Sequence, residues 1–326
     1  MEIDHIHFYV KDLATRRDWF IQNMGCQTVS STATPDTATV VLKNGAVYFV
    51  LSAALSPASP VAQYLKQHPS GVADIALRVN DIDQQLAKAD QIQVALQTPA
   101  RFNGKLKWAK IGGWGSLSHT LIENTSSVDF CQAVFALDVD TDCSIQAEVN
   151  AVTDFTQIDH VVLNVPTGAL DQAVDWYQHL LGFQVQQAFQ IQTKTSGLNS
   201  KVLKSPDGEI YFNINEPSSA RSQIQEFLDE NQGSGVQHIA LKTSNIVQVV
   251  TQMRQRGMSF LSVPATYYGQ LRQRLKEIKV SQFLPQEIQN IEVQNILVDW
   301  QAHLPNSILL QIFSHPIFEQ RTFFLS

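Results

Sequence analysis

Two distant stretches of this chain read almost alike: IDHIHFYV at 3–10 and IDHVVLNV at 158–165. Both have strand length, are rich in β-branched residues and begin Ile-Asp-His. Each leads into a helical pattern, DLATRRDWFIQNMGC in the first copy and ALDQAVDWYQHLLGF in the second. In the second, Leu170, Ala173, Val174, Tyr177 and Leu181 recur at helical spacing, and Gly182 stands where a C-terminal cap belongs. A later pair matches as well, SGVADIALRVNDIDQQLAKA from Ser70 and SGVQHIALKTSNIVQVVTQM from Ser234. A repeat on this scale makes the chain two homologous halves.

Each half contains two strand-then-helix openings, followed by strands with turn signals such as SPDGE at 205–209. This predicts an α+β fold of paired βαβββ modules, each half a cupped, mostly antiparallel sheet covered by helices on one face. With 326 residues the chain has room for two domains, each burying its own core. The polar, weakly periodic stretch 138–156 marks the join, giving domains 1–140 and 155–326.

Composition closes off several function classes. A net charge of -7 provides no overall basic field for a polyanion, and the one basic run, LRQRLKEIK at 271–279, reads as a solvated helix face. No run approaches the roughly 18 apolar residues that span a bilayer, and the acidic start MEIDH does not resemble a secretory signal. Cys26, Cys131 and Cys143 form neither a CxxC pair nor a disulfide framework. They are expected to be buried thiols in a reducing compartment, which places the protein in the cytoplasm.

Alternate strand residues share a face. His160 is thereby expected to lie with Ile158, Val162 and Asn164, and His238 with Val236 and Ala240. Two imidazoles from equivalent strands would converge inside one cup. Two His leave a first-row metal short of ligands, so a third strand is expected to bring a carboxylate, the set used by non-heme iron(II) oxygenases.

The second half resembles the 4-hydroxyphenylpyruvate dioxygenase family of the vicinal oxygen chelate superfamily, the glyoxalase and bleomycin-resistance fold. The resemblance rests on IDHVVLNV, SGLNSKVL, FNINEP, SQIQEFL, GSGVQHIALKT, PATYY, ILVD and LLQIFSHP, in the family's order across 155–326. The first half resembles the family's N-terminal domain more loosely, through GVADIAL and SHTLIEN.

The resemblance implies an iron(II) enzyme of tyrosine catabolism and quinone precursor supply, a homodimer or homotetramer. It would take 4-hydroxyphenylpyruvate, a 2-oxo acid, and O₂ to homogentisate and CO₂. His160 and His238 would be iron ligands. Ser200, Asn215, Gln223, Gln237 and Gln311 would line the substrate pocket, with Phe313 and Phe324 near the ring. The family's third ligand is a Glu, and Ser326 stands at its position, followed in relatives by a helix over the pocket. A serine hydroxyl is neutral near pH 7 and a poor iron(II) ligand beside a carboxylate. Three outcomes follow: a truncated or frame-shifted dioxygenase, a variant with a two-His site, or a ligand-binding cup without catalysis. Hydroxymandelate synthase shares fold, ligands and substrate and is the alternative enzyme, though NINEP with Asn215 looks more like the dioxygenase. In the first half, which in the family is a non-catalytic scaffold, His5 matches His160, Asp74 matches His238, and Glu123 falls near the third ligand's place.

Overall fold

The computed structural model describes residues 1–124, 130–135, 155–192, 196–277, 285–301 and 304–326. The first half runs β1 (Glu2–Tyr9), α1 (Leu13–Met24), β2 (Gln27–Ala33), β3 (Thr37–Asn44), β4 (Val47–Ala54), α2 (Pro60–Leu65), β5 (Gly71–Arg78), α3 (Ile82–Gln91), β6 (Leu96–Phe102), β7 (Leu106–Gly112), β8 (Ser118–Asn124) and α4 (Phe130–Phe135). The second runs β9 (Phe155–Asn164), α5 (Leu170–Leu181), β10 (Gln184–Gln192), β11 (Gly197–Lys204), β12 (Tyr211–Pro217), α6 (Gln223–Asn231), β13 (Gly235–Thr243), α7 (Ile246–Gln255), α8 (Ala265–Glu277), α9 (Pro285–Val293), β14 (Leu297–Gln301), β15 (Leu304–Gln311) and β16 (Phe324–Leu325). The proposed join and Cys143 lie mostly or wholly outside the described residues. Cys26 and Cys131 are both buried.

The repeat is visible in local detail. The helices α1 and α5 both end on a glycine in the left-handed region, Gly25 at φ 70° and Gly182 at φ 74°, a conformation that costs glycine nothing. The apolar residues predicted for α5 are buried. On α8, Leu271 and Leu275 are buried while the residues between them are exposed, so the basic run anchors a solvated face.

The strands form sheets in the orders β2-β3-β4-β1-β5-β8-β7-β6 and β10-β11-β12-β9-β13-β16. Neighbours are antiparallel apart from β1/β4, β5/β8, β9/β12 and β13/β16. The first half follows the βαβββ pattern twice. The last module departs from it, because β14 and β15 pair with each other and leave β16 alone beside β13. The Tyr268 hydroxyl donates to the Ile296 carbonyl (3.1 Å) and that of Tyr267 to the Val298 carbonyl (2.9 Å), which ties this hairpin to α8.

The expectation of two separate cores is corrected. One continuous core runs through both halves, with α1 against α7 and α3 against α5. The Phe8 ring of the first sheet meets Phe318 at 5.7 Å and Phe323 at 5.2 Å. Burying the Phe8 ring against Phe318 and Phe323 removes all three from water. No helix among the described residues is long and apolar enough to cross a membrane.

Candidate metal centre

The second sheet places His160 and His238 side by side on its concave face, ring centroids 5.6 Å apart and nearly perpendicular. Pairing register fixes the rest of that face, since partners directly across a ladder point to the same side. One row holds Tyr211, His160 and Ala240, and the next holds Val202, Asn213, Val162, His238 and Phe324. A third contains Ser200, Asn215 and Asn164.

Simple alternation misplaces two residues. The β9/β13 register skips Asp159 and then Gln237, so both are bulged. Ile158 consequently turns to the helix side with Val161 and Leu163, and Val236 joins that core, away from His238. The bulge also lets Asp159 reach its neighbour's ring: Nδ1–H of His160 donates to Asp159 Oδ2 at 2.9 Å. A carboxylate only accepts, so this bond fixes the proton on Nδ1 and leaves Nε2 with a free lone pair. The hydrogen bond from His160 in turn holds the Asp159 carboxyl below its usual range.

Burial, reinforced by His160, pushes His238 down to about 3, so it is neutral at physiological pH. Its Nδ1 is buried without a hydrogen-bond partner. Phe324 stacks on the ring at 4.6 Å and Phe313 meets it edge-on at 6.2 Å. Phe323, just before β16, and Leu325 on it enter the core while Phe324 faces the cup, and alternation turns Ser326 the same way. Ser326 N–H donates to Ile239 O (3.0 Å) and Leu241 N–H to Ser326 O (2.7 Å), so Ser326 flanks Ala240 in the row of His160. Its Oγ is buried and unpartnered. The third strand foreseen from the sequence is therefore present, with a hydroxyl where the carboxylate was expected.

The remaining predicted positions divide. Ser200 is buried, and Asn215 donates from Nδ2 to Asn164 Oδ1 at 3.4 Å. Gln237 is the half-buried bulge residue, and Gln311 is half-buried at the end of β15. Gln223 is exposed as the first residue of α6. Sequence reasoning missed Asn213, although the i, i+2 spacing with Asn215 on one strand signals a shared face.

The first cup is closed. By register, Asp74 takes the place of His238 and Thr120 that of Ser326, which corrects the assignment of Glu123. Glu123 instead accepts from the Ile82 N–H at the start of α3 (2.8 Å). Asp74 accepts from Thr120 N (2.8 Å) and Thr120 Oγ1 (2.5 Å), and Lys110 lies 3.4 Å away. Asp4, His5 and Cys131 bring three donor atoms within 4.8 Å of one another. Asp4, however, is already engaged by His5 (2.7 Å) and Arg78 (2.6 Å), and Phe130 of α4 stacks over His5 at 5.6 Å. The first cup holds a paired ionic network under a lid, with Ser30 Oγ unpartnered in the row of His7, whereas the second presents unpartnered atoms on His238, Asn164, Asn213 and Ser326.

Two family models described as the Glyoxalase/Bleomycin resistance protein/Dioxygenase superfamily match residues 4–107 and 157–279. The 4-hydroxyphenylpyruvate dioxygenase of Yarrowia lipolytica is 32% identical over 342 residues, covering 99% of this chain and 84% of that protein. The chain belongs to the 4-hydroxyphenylpyruvate dioxygenase family. The Caenorhabditis elegans dioxygenase is 31% identical, again across 99% of this chain and 84% of its own length. A Synechocystis protein known as slr0090 is 31% identical across 99% of this chain and 90% of its own. Among solved structures, a variant of 4-hydroxymandelate synthase from Streptomyces coelicolor superposes with a TM-score of 0.81 over 99% of this chain and 91% of that one; at 24% identity it bears on the fold.

Proposed function

We propose that this chain is a metal-dependent dioxygenase that converts 4-hydroxyphenylpyruvate and O₂ to homogentisate and CO₂, with its metal- and substrate-binding half at 155–326 and a scaffold half at 1–140. The observation that carries the reading is the pair of imidazoles, His160 and His238, converging on one face of the second sheet. The residues fit a divalent first-row cation at two positions. His160 would use Nε2, with Asp159 fixing its tautomer, and His238 would use its lone pair in neutral form. Ser326 contributes no charge at the third. The cation is iron(II), which when bound supplies the site where the 2-oxo acid and O₂ meet.

The chain's own residues bind and orient. Phe324 and Phe313 offer an apolar wall to an aromatic ring, and Ser200, Asn215, Gln237 and Gln311 provide polar groups, with Gln223 at the rim. The reading also includes the cytoplasm, where reduced Cys26 and Cys131 persist, and a homodimer or homotetramer.

Anaerobic loading with iron(II), followed by 4-hydroxyphenylpyruvate and O₂, is expected to give one homogentisate per O₂ consumed, measured with an oxygen electrode and by chromatography. Hydroxymandelate as product, or ligand binding without iron-dependent O₂ uptake, overturns the proposal. Ser326→Glu places a carboxylate in the row of His160. It is expected to tighten metal binding by at least about tenfold, measured by anaerobic titration calorimetry, since carboxylate is a better ligand for this cation than a neutral hydroxyl.

A further inference from the structure

We infer that Asn213 is a specificity-determining residue that reads the ring hydroxyl of the aromatic 2-oxo acid, an inference that rests on the proposed function. Asn213 projects from β12 onto the cup face, in the same row as His238 and Phe324 and two strands from His238. Two strand spacings are about 9.6 Å. That separation matches a ligand whose polar head is held near the imidazoles and whose ring extends along the row.

The side chain is half-exposed, yet its Oδ1 is buried and has no hydrogen-bond partner. A buried unpaired acceptor costs free energy until a donor arrives, and such atoms in a native fold call for an explanation. Its diagonal neighbour across the ladder, Asn164, leaves Nδ2 buried and unpaired on the same face. An orphaned acceptor and an orphaned donor on diagonal positions of neighbouring strands are the complement of a hydroxyl, which both donates and accepts.

Within the proposed substrate class, only one group answers this description. At neutral pH the carboxylate and the 2-oxo group only accept hydrogen bonds, so the phenolic O–H is the one donor the molecule carries. Phenylpyruvate has the same skeleton without it. A site that pairs a substrate hydroxyl discriminates against the analogue lacking it, because the protein's own polar atoms are then left unpaired.

The test is anaerobic titration calorimetry of the full iron(II)-loaded chain with 4-hydroxyphenylpyruvate and with phenylpyruvate, for the wild type, Asn213→Leu and Asn213→Ser, each checked for an unchanged thermal melt. The wild type is expected to prefer the hydroxylated ligand by at least about tenfold. Asn213→Leu is expected to cut that preference below about threefold by weakening 4-hydroxyphenylpyruvate while leaving phenylpyruvate unchanged or tighter, with Asn213→Ser in between. A folded Asn213→Leu protein that keeps the wild-type ratio overturns the inference and leaves the proposed function standing. A wild type that binds neither ligand overturns both.

Discussion

His238→Ala is expected to abolish metal binding, with an affinity loss of more than about 100-fold, whereas Asp159→Asn is expected to cost about 10–100-fold. The difference follows from position. Under the proposed function His238 donates a lone pair to the cation directly, while Asp159 acts through the Nδ1–H of His160, which it holds at 2.9 Å. Losing Asp159 frees the imidazole to rotate and to exchange tautomers but leaves both rings in place. Losing His238 also removes the surface on which Phe324 stacks, so the apolar wall of the cup loosens together with the metal site. Anaerobic cobalt(II) titration followed by visible absorbance measures both variants without relying on turnover. Equal losses for the two, or no loss for His238→Ala, would contradict the assignment of direct and outer roles.

Asp74→Ala is expected to destabilise the fold by about 3–5 kcal/mol, since removing one partner of a buried charge pair strands the other. Lys110 lies 3.4 Å from the Asp74 carboxylate and otherwise donates to the neutral Tyr9 hydroxyl at 3.4 Å, which cannot balance its charge. Denaturant unfolding of variant and wild type measures the difference. The same network sets a pH dependence. Burial on its own would push the Asp74 carboxyl up, but the Lys110 ammonium, His7 and the Thr120 hydrogen bond outweigh it and bring it down to about 2. A carboxyl depressed in the folded state stabilises fully above its ordinary value near 4, and this contribution is lost as pH falls toward 2. Burial, together with Lys110, also pushes His7 down to about 3. The unfolded chain then binds more protons than the folded one below the ordinary histidine value near 6.5, so stability again falls with pH. The denaturation midpoint is therefore expected to drop in two stages, one between about pH 6.5 and 4 and a second below about pH 4. His238, likewise down to about 3, acts over the same stage, so His7→Gln should remove part of the first stage and shrink the second, because His7 also helps to hold Asp74 down.

Much of the candidate site is legible in the sequence because its two histidines fall in the two strongest repeats. The Ile-Asp-His opening marks β9, and the SGV-H/D-IAL pattern marks β13. Alternation then puts both rings on one face, provided the faces are tracked from the histidines forward. Tracked backward the rule fails, at Ile158 and at Val236, because each lies beyond a bulge. A bulge adds one residue to one strand only, and nothing in the local string separates it from regular extended chain. The reading of Glu123 fails for a related reason. It counts along β8 from a motif, whereas the equivalent of Ser326 is set by which residue of β8 lies beside β5, and that residue is Thr120.

By itself, then, the sequence determined the duplication, the strand-then-helix openings of each half, the helix end at Gly182, and the pairing of His160 with His238. These depend on local periodicity and on comparing one half with the other. Only the tertiary structure decided which cup is open. Helix α4 lays Phe130 over His5, and Arg78 occupies Asp4, so the first cup is sealed by contacts from residues far apart in the chain. It also merged the two halves into one core and left Asn213 Oδ1 and Asn164 Nδ2 unpaired on the face of the histidines. Register, burial and unmet hydrogen bonds are properties of strands brought together, and they do not exist until the sheet has closed.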